Sequence, residues 1–247
     1  MALRPFFLNL MFYLSSGAFL YLALAGKNYI PRNRFLLHGF LAVFFAFLSL
    51  STISQATPLP LQWGLAGFSV SAALFLLSTL FKFRGSRLFY LLALGSTLFV
   101  IAFEVVSRFH DHPDWSFSLP ALMTNAFLST GLLGGAIAFL FWQPAPYRLV
   151  GLFLFFLFVR FFFSTYLATS LLQAHDSLEN FRFFLSYNPG LIVFARWLWG
   201  IAAPLLLAVV LLLSLPKTKG LFYLMLLFVL TGESLGLYLA LFHHLAV

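Results

Sequence analysis

The chain has 247 residues, of which 62% are apolar, 20% aromatic and 8% charged, with a mean hydropathy of +1.01. Soluble domains are about 25% charged and about 45–50% apolar, so a water-soluble globule and a disordered chain are both excluded. The formal charge of +8 sits mainly in short connections and reads as topogenic charge rather than a nucleic-acid footprint.

A helix needs roughly 20 apolar residues to cross a bilayer. The sequence divides into eight such segments, approximately Pro5–Ala25, Arg34–Ser54, Leu61–Phe81, Leu88–Ser107, Leu119–Trp142, Tyr147–Leu172, Leu191–Leu215 and Leu221–Leu245. Breaker residues mark the joints: Gly26 with Pro31, Pro58 and Pro60, Gly85, Pro113, Pro144 with Pro146, Pro189-Gly190, and Pro216. The expected fold is all-α, a polytopic membrane bundle of eight transmembrane helices filling residues 1–247 as a single domain. Membrane-spanning barrel strands would alternate polar and apolar residues instead. The stretch from Met1 to Ala25 has no small-residue cleavage site and reads as a retained first span.

Basic residues in alternate loops predict the orientation. Nine of the fourteen, Lys27, Arg32, Arg34, Lys82, Arg84, Arg87, Arg148, Lys217 and Lys219, fall on one side, where there is no acidic residue. The other side holds Arg4, Arg108 and Arg182 with Asp111, Asp114, Asp176 and Glu179. Both termini are therefore expected on the outer side. Two longer outer segments, Arg108–Ser118 and Gln173–Pro189, mix aromatic, His and acidic residues. Such segments serve either as interfacial caps or as a partner-docking surface. The docking candidates are His110, Asp111, His112, Trp115 and Arg182.

A charge within a span costs about 2.5–3.5 kcal/mol on insertion scales and usually faces the bundle interior. Arg160 and Glu233 fall near the middle of the sixth and eighth spans. Arg196 lies one to two turns inside the seventh, and Glu104 about one turn inside the outer end of the fourth. Glu233 is expected to pair with Arg160 or Arg196, as a structural lock, a proton path or part of a polar pocket. His38 is the one histidine well within a span; a bis-histidine haem needs two at matching depth, so no haem is expected. The pair His110 and His112 is a weak metal signal, and no metal site is assigned. With no cysteine, the chain offers no thiolates for a disulfide or an iron–sulfur cluster. Gly-x-Ser-x-Gly, His-Glu-x-x-His and P-loop patterns do not occur. The small residues Ser129-Thr130-Gly131 and Gly134-Gly135-Ala136 suit close helix packing.

Three stretches carry a family resemblance: Leu230-Thr231-Gly232-Glu233-Ser234-Leu235-Gly236, Phe194-Ala195-Arg196-Trp197, and Ser107 to Trp115 followed by Leu119-Pro120 and Phe127 to Gly135. With these, the chain resembles the membrane anchor subunits of dimethyl sulfoxide reductase-type molybdopterin oxidoreductases, which carry a Gly-Glu-x-x-Gly segment near the C-terminus and an intramembrane Arg beside an aromatic residue. Where that family places His-Leu-Gly-x-Pro, this chain has Ser51-Thr52-Ile53-Ser54-Gln55, and Gln62 and Leu237 stand where an acidic residue and an Arg are expected.

The resemblance implies a multi-pass subunit of a bacterial or archaeal cytoplasmic (inner) membrane, working in anaerobic respiration. It would exchange electrons between the quinone pool and a partner iron–sulfur subunit of the four-cluster ferredoxin type, which serves a molybdopterin catalytic subunit. The quinone, menaquinone or ubiquinone, is an exchangeable ligand; iron–sulfur clusters and molybdopterin belong to the partners. A quinone head group needs a few polar donors in an apolar cleft, and the candidates are Gln55, Gln62, Trp63, Glu104, Arg108 and Arg196, with Glu233 and Arg160 as a proton path or buried ion pair. The alternatives are a small multi-pass transporter and a structural anchor without its own quinone site.

Overall fold

The computed structural model describes the backbone over residues 3–25, 31–54, 57–81, 86–111, 119–141, 147–173, 188–213 and 219–242, and side chains over most of these. The described residues are helical, with no strand among them. Eight helices are long and apolar enough to cross a membrane. They are α1 (Leu3–Ala25), α2 (Arg32–Ser51), α3 (Leu59–Leu80), α4 (Ser86–Asp111), α5 (Leu119–Phe141), α6 (Tyr147–Gln173), α7 and α8 (Lys219–Phe242). Helix α7 is α-helical over Asn188–Trp197, π-helical over Leu198–Ala202 and α-helical again over Ala203–Leu213.

Local chemistry sets the ends. The carbonyl of Pro31 accepts from the N–H groups of Arg34 and Phe35, at 3.0 Å each. Helix α2 therefore starts at Arg32, two residues before the hydropathy pattern suggests. It ends at Ser51 because Ser49, Ser51 and Thr52 turn their hydroxyls onto the carbonyls of Ala46, Leu48 and Ser49, an alternative partner that competes with helix continuation. Helix α4 runs on to Asp111, so the backbone of Arg108, His110 and Asp111 is helical rather than loop; their side chains lie outside the described set.

The helices group into two compact units, Met1–Leu149 and Val150–Val247. Reading the chain as one domain gives no hint of this division, which falls at the start of α6.

In the first unit α1 is central, packing against α2, α4 and α5. Its contact with α5 is a backbone-to-backbone approach. A Cβ on Gly17 would overlap the Thr130 carbonyl, and one on Gly134 would overlap Gly17. Small residues allow that approach, and in lipid it is a main source of helix association. On another face, Phe12 and Phe19 of α1 meet Phe68 and Phe75 of α3 edge to face, with ring centroids 5.5 and 5.2 Å apart. Both pairs are seven residues apart, two helical turns, so one aromatic stripe meets another. Polar bonds tie α1 to α2: Ser15 Oγ donates to the Ala42 carbonyl (2.6 Å), and His38 Nε2 donates to the Ala18 carbonyl (2.8 Å).

In the second unit α8 packs along all three segments of α7. Gly200 and Gly232 face each other so closely that a Cβ on either would overlap the other's Cα. The π-turn lies beside this contact. Pro204 has no N–H to give the carbonyl of Gly200, four residues back. The chain takes up the mismatch in the preceding turn, where the Ala203 N–H bonds the Leu198 carbonyl five residues back.

Candidate functional site

Among the described residues, the second unit buries three charged side chains. Arg160 (α6) is 0% exposed, Arg196 (α7) 2% and Glu233 (α8) 1%. A guanidinium carries parallel N–H groups on its Nε/Nη2 edge, spaced to match the two oxygens of a carboxylate. Arg160 uses that edge fully: Nε donates to Glu233 Oε1 and Nη2 to Oε2, both at 2.9 Å. This bidentate, charge-assisted pair joins α6 to α8.

Arg196 approaches the same carboxylate differently. Its Nη2 lies 3.9 Å from Glu233 Oε2, within Coulombic reach but too far for a hydrogen bond. Its Nε and Nη2 are buried without a hydrogen-bond partner. Among the described residues, the side chains of this unit carry two guanidiniums and one carboxylate, a formal balance of +1.

The Gly-Glu-x-x-Gly segment acquires a residue-by-residue account. Gly232 admits the backbone of Gly200. Glu233, next in sequence, carries the carboxylate that both arginines face. Gly236, nearly one turn on, leaves room for Arg196, since a Cβ there would stand 2.6 Å from Arg196 Nη2. Glu233 and Gly236 thus place the carboxylate and the guanidinium at successive levels of α8. Aromatic residues adjoin the cluster residues in sequence: Trp197, next to Arg196, lies 6.4 Å from Phe161, next to Arg160, and Trp199 packs edge to face on Phe228 at 5.2 Å.

Sequence reasoning missed Ser164. Its hydroxyl is buried without a hydrogen-bond partner, one turn after Arg160 on the same face of α6. The signal was available, because a serine four residues from an intramembrane Arg shares its stripe.

Glu104, Gln62 and Trp63 belong to the first unit. Glu104 is buried (6% exposed) and accepts a hydrogen bond of 3.2 Å from the Tyr13 hydroxyl. Tyr13 was also overlooked, although Asn9, Tyr13 and Ser16 form a buried polar stripe at i, i+4 and i+7 on an otherwise apolar α1. Gln62 spends an amide donor locally, on the Thr57 carbonyl at 2.8 Å, which closes the turn before α3. Trp63 is 70% exposed. Gln55, His112, Trp115 and Arg182 lie outside the described residues, as do the side chains of Arg108, His110 and Asp111.

The arrangement in the second unit has two chemical capacities. It holds a carboxylate rigidly at the middle of a span, and it presents buried N–H donors to an acceptor. No protein-family model, no curated protein and no solved structure matches the chain.

Proposed function

We propose that this chain is a quinone-interacting membrane anchor subunit of a molybdopterin and iron–sulfur oxidoreductase in a prokaryotic inner membrane. In this reading it passes electrons between the quinone pool and a partner iron–sulfur subunit. The observation that carries the proposal is Arg196: its Nε and Nη2 are buried in a membrane-spanning helix with no hydrogen-bond partner. Burying such donors unsatisfied costs about 1–3 kcal/mol each, more when charged. That cost is offset by an acceptor that arrives through the bilayer, and a quinone carbonyl is such an acceptor. The head group is apolar apart from its oxygens, which suits the aromatic neighbours of the two arginines in sequence, Trp197 and Phe161, whose rings lie 6.4 Å apart. The residues on which the family resemblance rests, Arg196, Gly232, Glu233 and Gly236, also meet at one place, which supports a shared role.

The experiment is a quinone titration of the purified chain in a mild detergent. Quenching of tryptophan fluorescence by a short-chain naphthoquinone reports binding, since Trp197 and Trp199 follow Arg196 within one helical turn. Saturable binding in the wild type, weakened about tenfold or more in Arg196→Gln, is the expected result, from the loss of a charged hydrogen bond. Quenching that does not saturate, or that is the same in the variant, would retire the quinone site.

A further inference from the structure

Arg160 and Arg196 present the same chemical edge to their surroundings, and only one of them has it matched. The Nε/Nη2 edge of Arg160 holds the two oxygens of Glu233 at 2.9 Å each. The Nε and Nη2 of Arg196 have no hydrogen-bond partner, although the residue is 2% exposed. Glu233 does not hydrogen-bond that edge of Arg196, because the approach of Nη2 to its Oε2 is 3.9 Å.

Two further features bear on this edge. Gly236 removes the side chain that would otherwise displace its guanidinium. Ser164 supplies a buried, unpartnered hydroxyl one turn from Arg160. Consecutive spans alternate in direction, so α6 and α8 run parallel. The step from Arg160 to Ser164 along α6 therefore runs in the same direction as the step from Glu233 to Gly236 along α8.

We propose that the Nε/Nη2 edge of Arg196 is a binding site for a monocarboxylate, with the Ser164 hydroxyl as an additional donor. The protein already contains the complementary pair, in Arg160 and Glu233, that shows which group fits this edge. A single negative charge also brings the local balance to zero. A carboxylate can reach the site from two sources, as a small water-borne anion or as the head of a fatty acid in the bilayer. The inference takes the same Arg196 edge as the anchor reading and names a different occupant for it, and it stands without that reading, since carboxylate binding is a property of this chain alone.

The test uses the full chain purified in a non-ionic detergent, free of quinone and of carboxylate buffers. Carboxyl-13C formate and carboxyl-13C oleate are titrated separately, and the carboxyl resonance is followed for shift and broadening. Saturable binding of either probe is expected in the wild type. It should fall about tenfold or more in Arg196→Lys, which keeps the charge but loses the two-pronged edge, and disappear in Arg196→Gln. Ser164→Ala should weaken it severalfold. Formate binding alone identifies a water-borne ligand, oleate binding alone a lipid-borne one, and both support the site. Binding of neither probe, or binding unchanged in both Arg196 variants, overturns the proposal. Because no quinone is present, loss of quinone binding with carboxylate binding retained would retire the anchor reading only.

Discussion

Replacing Glu233 with Gln removes the carboxylate that both buried arginines face and leaves two guanidiniums close together in a membrane-spanning unit. Breaking a buried pair by deleting one partner costs about 3–5 kcal/mol, and the bidentate geometry at 2.9 Å puts Glu233→Gln at the upper end. Arg160→Gln should cost less, about 2–3 kcal/mol. Glu233 then still has Arg196 at 3.9 Å, and at an effective dielectric near 20 that Coulomb attraction is about 4 kcal/mol before desolvation. Arg196→Gln should cost about 1 kcal/mol or nothing, because it leaves the Arg160–Glu233 pair intact and brings the formal balance to zero. The assay is equilibrium unfolding in mixed micelles of rising denaturing-detergent fraction, followed by tryptophan fluorescence. The reasoning is refuted if Arg196→Gln destabilises as much as Glu233→Gln, or if Glu233→Gln unfolds within about 1 kcal/mol of the wild type.

The same unfolding assay tests the packing account. Gly232→Ala forces a methyl group into the backbone of Gly200 and should cost about 2–3 kcal/mol by overpacking; Gly151→Ala, with nothing within 4 Å of the added carbon, should be neutral or slightly stabilising. In the first unit, Gly17→Ala and Gly134→Ala should each separate α1 from α5 and cost a similar amount, whereas Gly95→Ala should not; equal effects at Gly17 and Gly95 would contradict the close approach. Tyr13→Phe removes one hydrogen bond to Glu104 and should cost about 1 kcal/mol, and a loss above about 3 kcal/mol would mean that the hydroxyl holds more than this one contact.

The parts of this structure visible in the sequence are those governed by transfer energy. Eight runs of apolar residues give eight helices because lipid leaves the backbone no other partner than itself. Arg160, Arg196 and Glu233 stand out because a charge in a span is expensive, and that cost forces them together. Hydropathy is silent where geometry decides. The π-turn over Leu198–Ala202 follows from Pro204 and the Gly200–Gly232 approach, and neither glycine reveals its partner in isolation. The small residues of α5 announce close packing, yet Gly17 as the residue that answers Gly134 appears only in three dimensions. Ser164 and Tyr13 were readable as members of polar stripes. Ser164 was overlooked because a serine in a helix ordinarily bonds a backbone carbonyl of the preceding turn, and Tyr13 because its ring is apolar and its hydroxyl alone carries the polar signal. The division into two units leaves no compositional mark, since Leu149 and Val150 are ordinary apolar residues of one helix.

The anchor reading makes its most direct claim about company. Purification of the tagged chain from its native membrane in a mild detergent, with mass spectrometry of the copurifying proteins and analysis for iron and molybdenum, tests that claim. The account predicts a ferredoxin-type iron–sulfur subunit and a molybdopterin subunit in the same complex, with both metals present. A chain that purifies alone and free of both metals would contradict it.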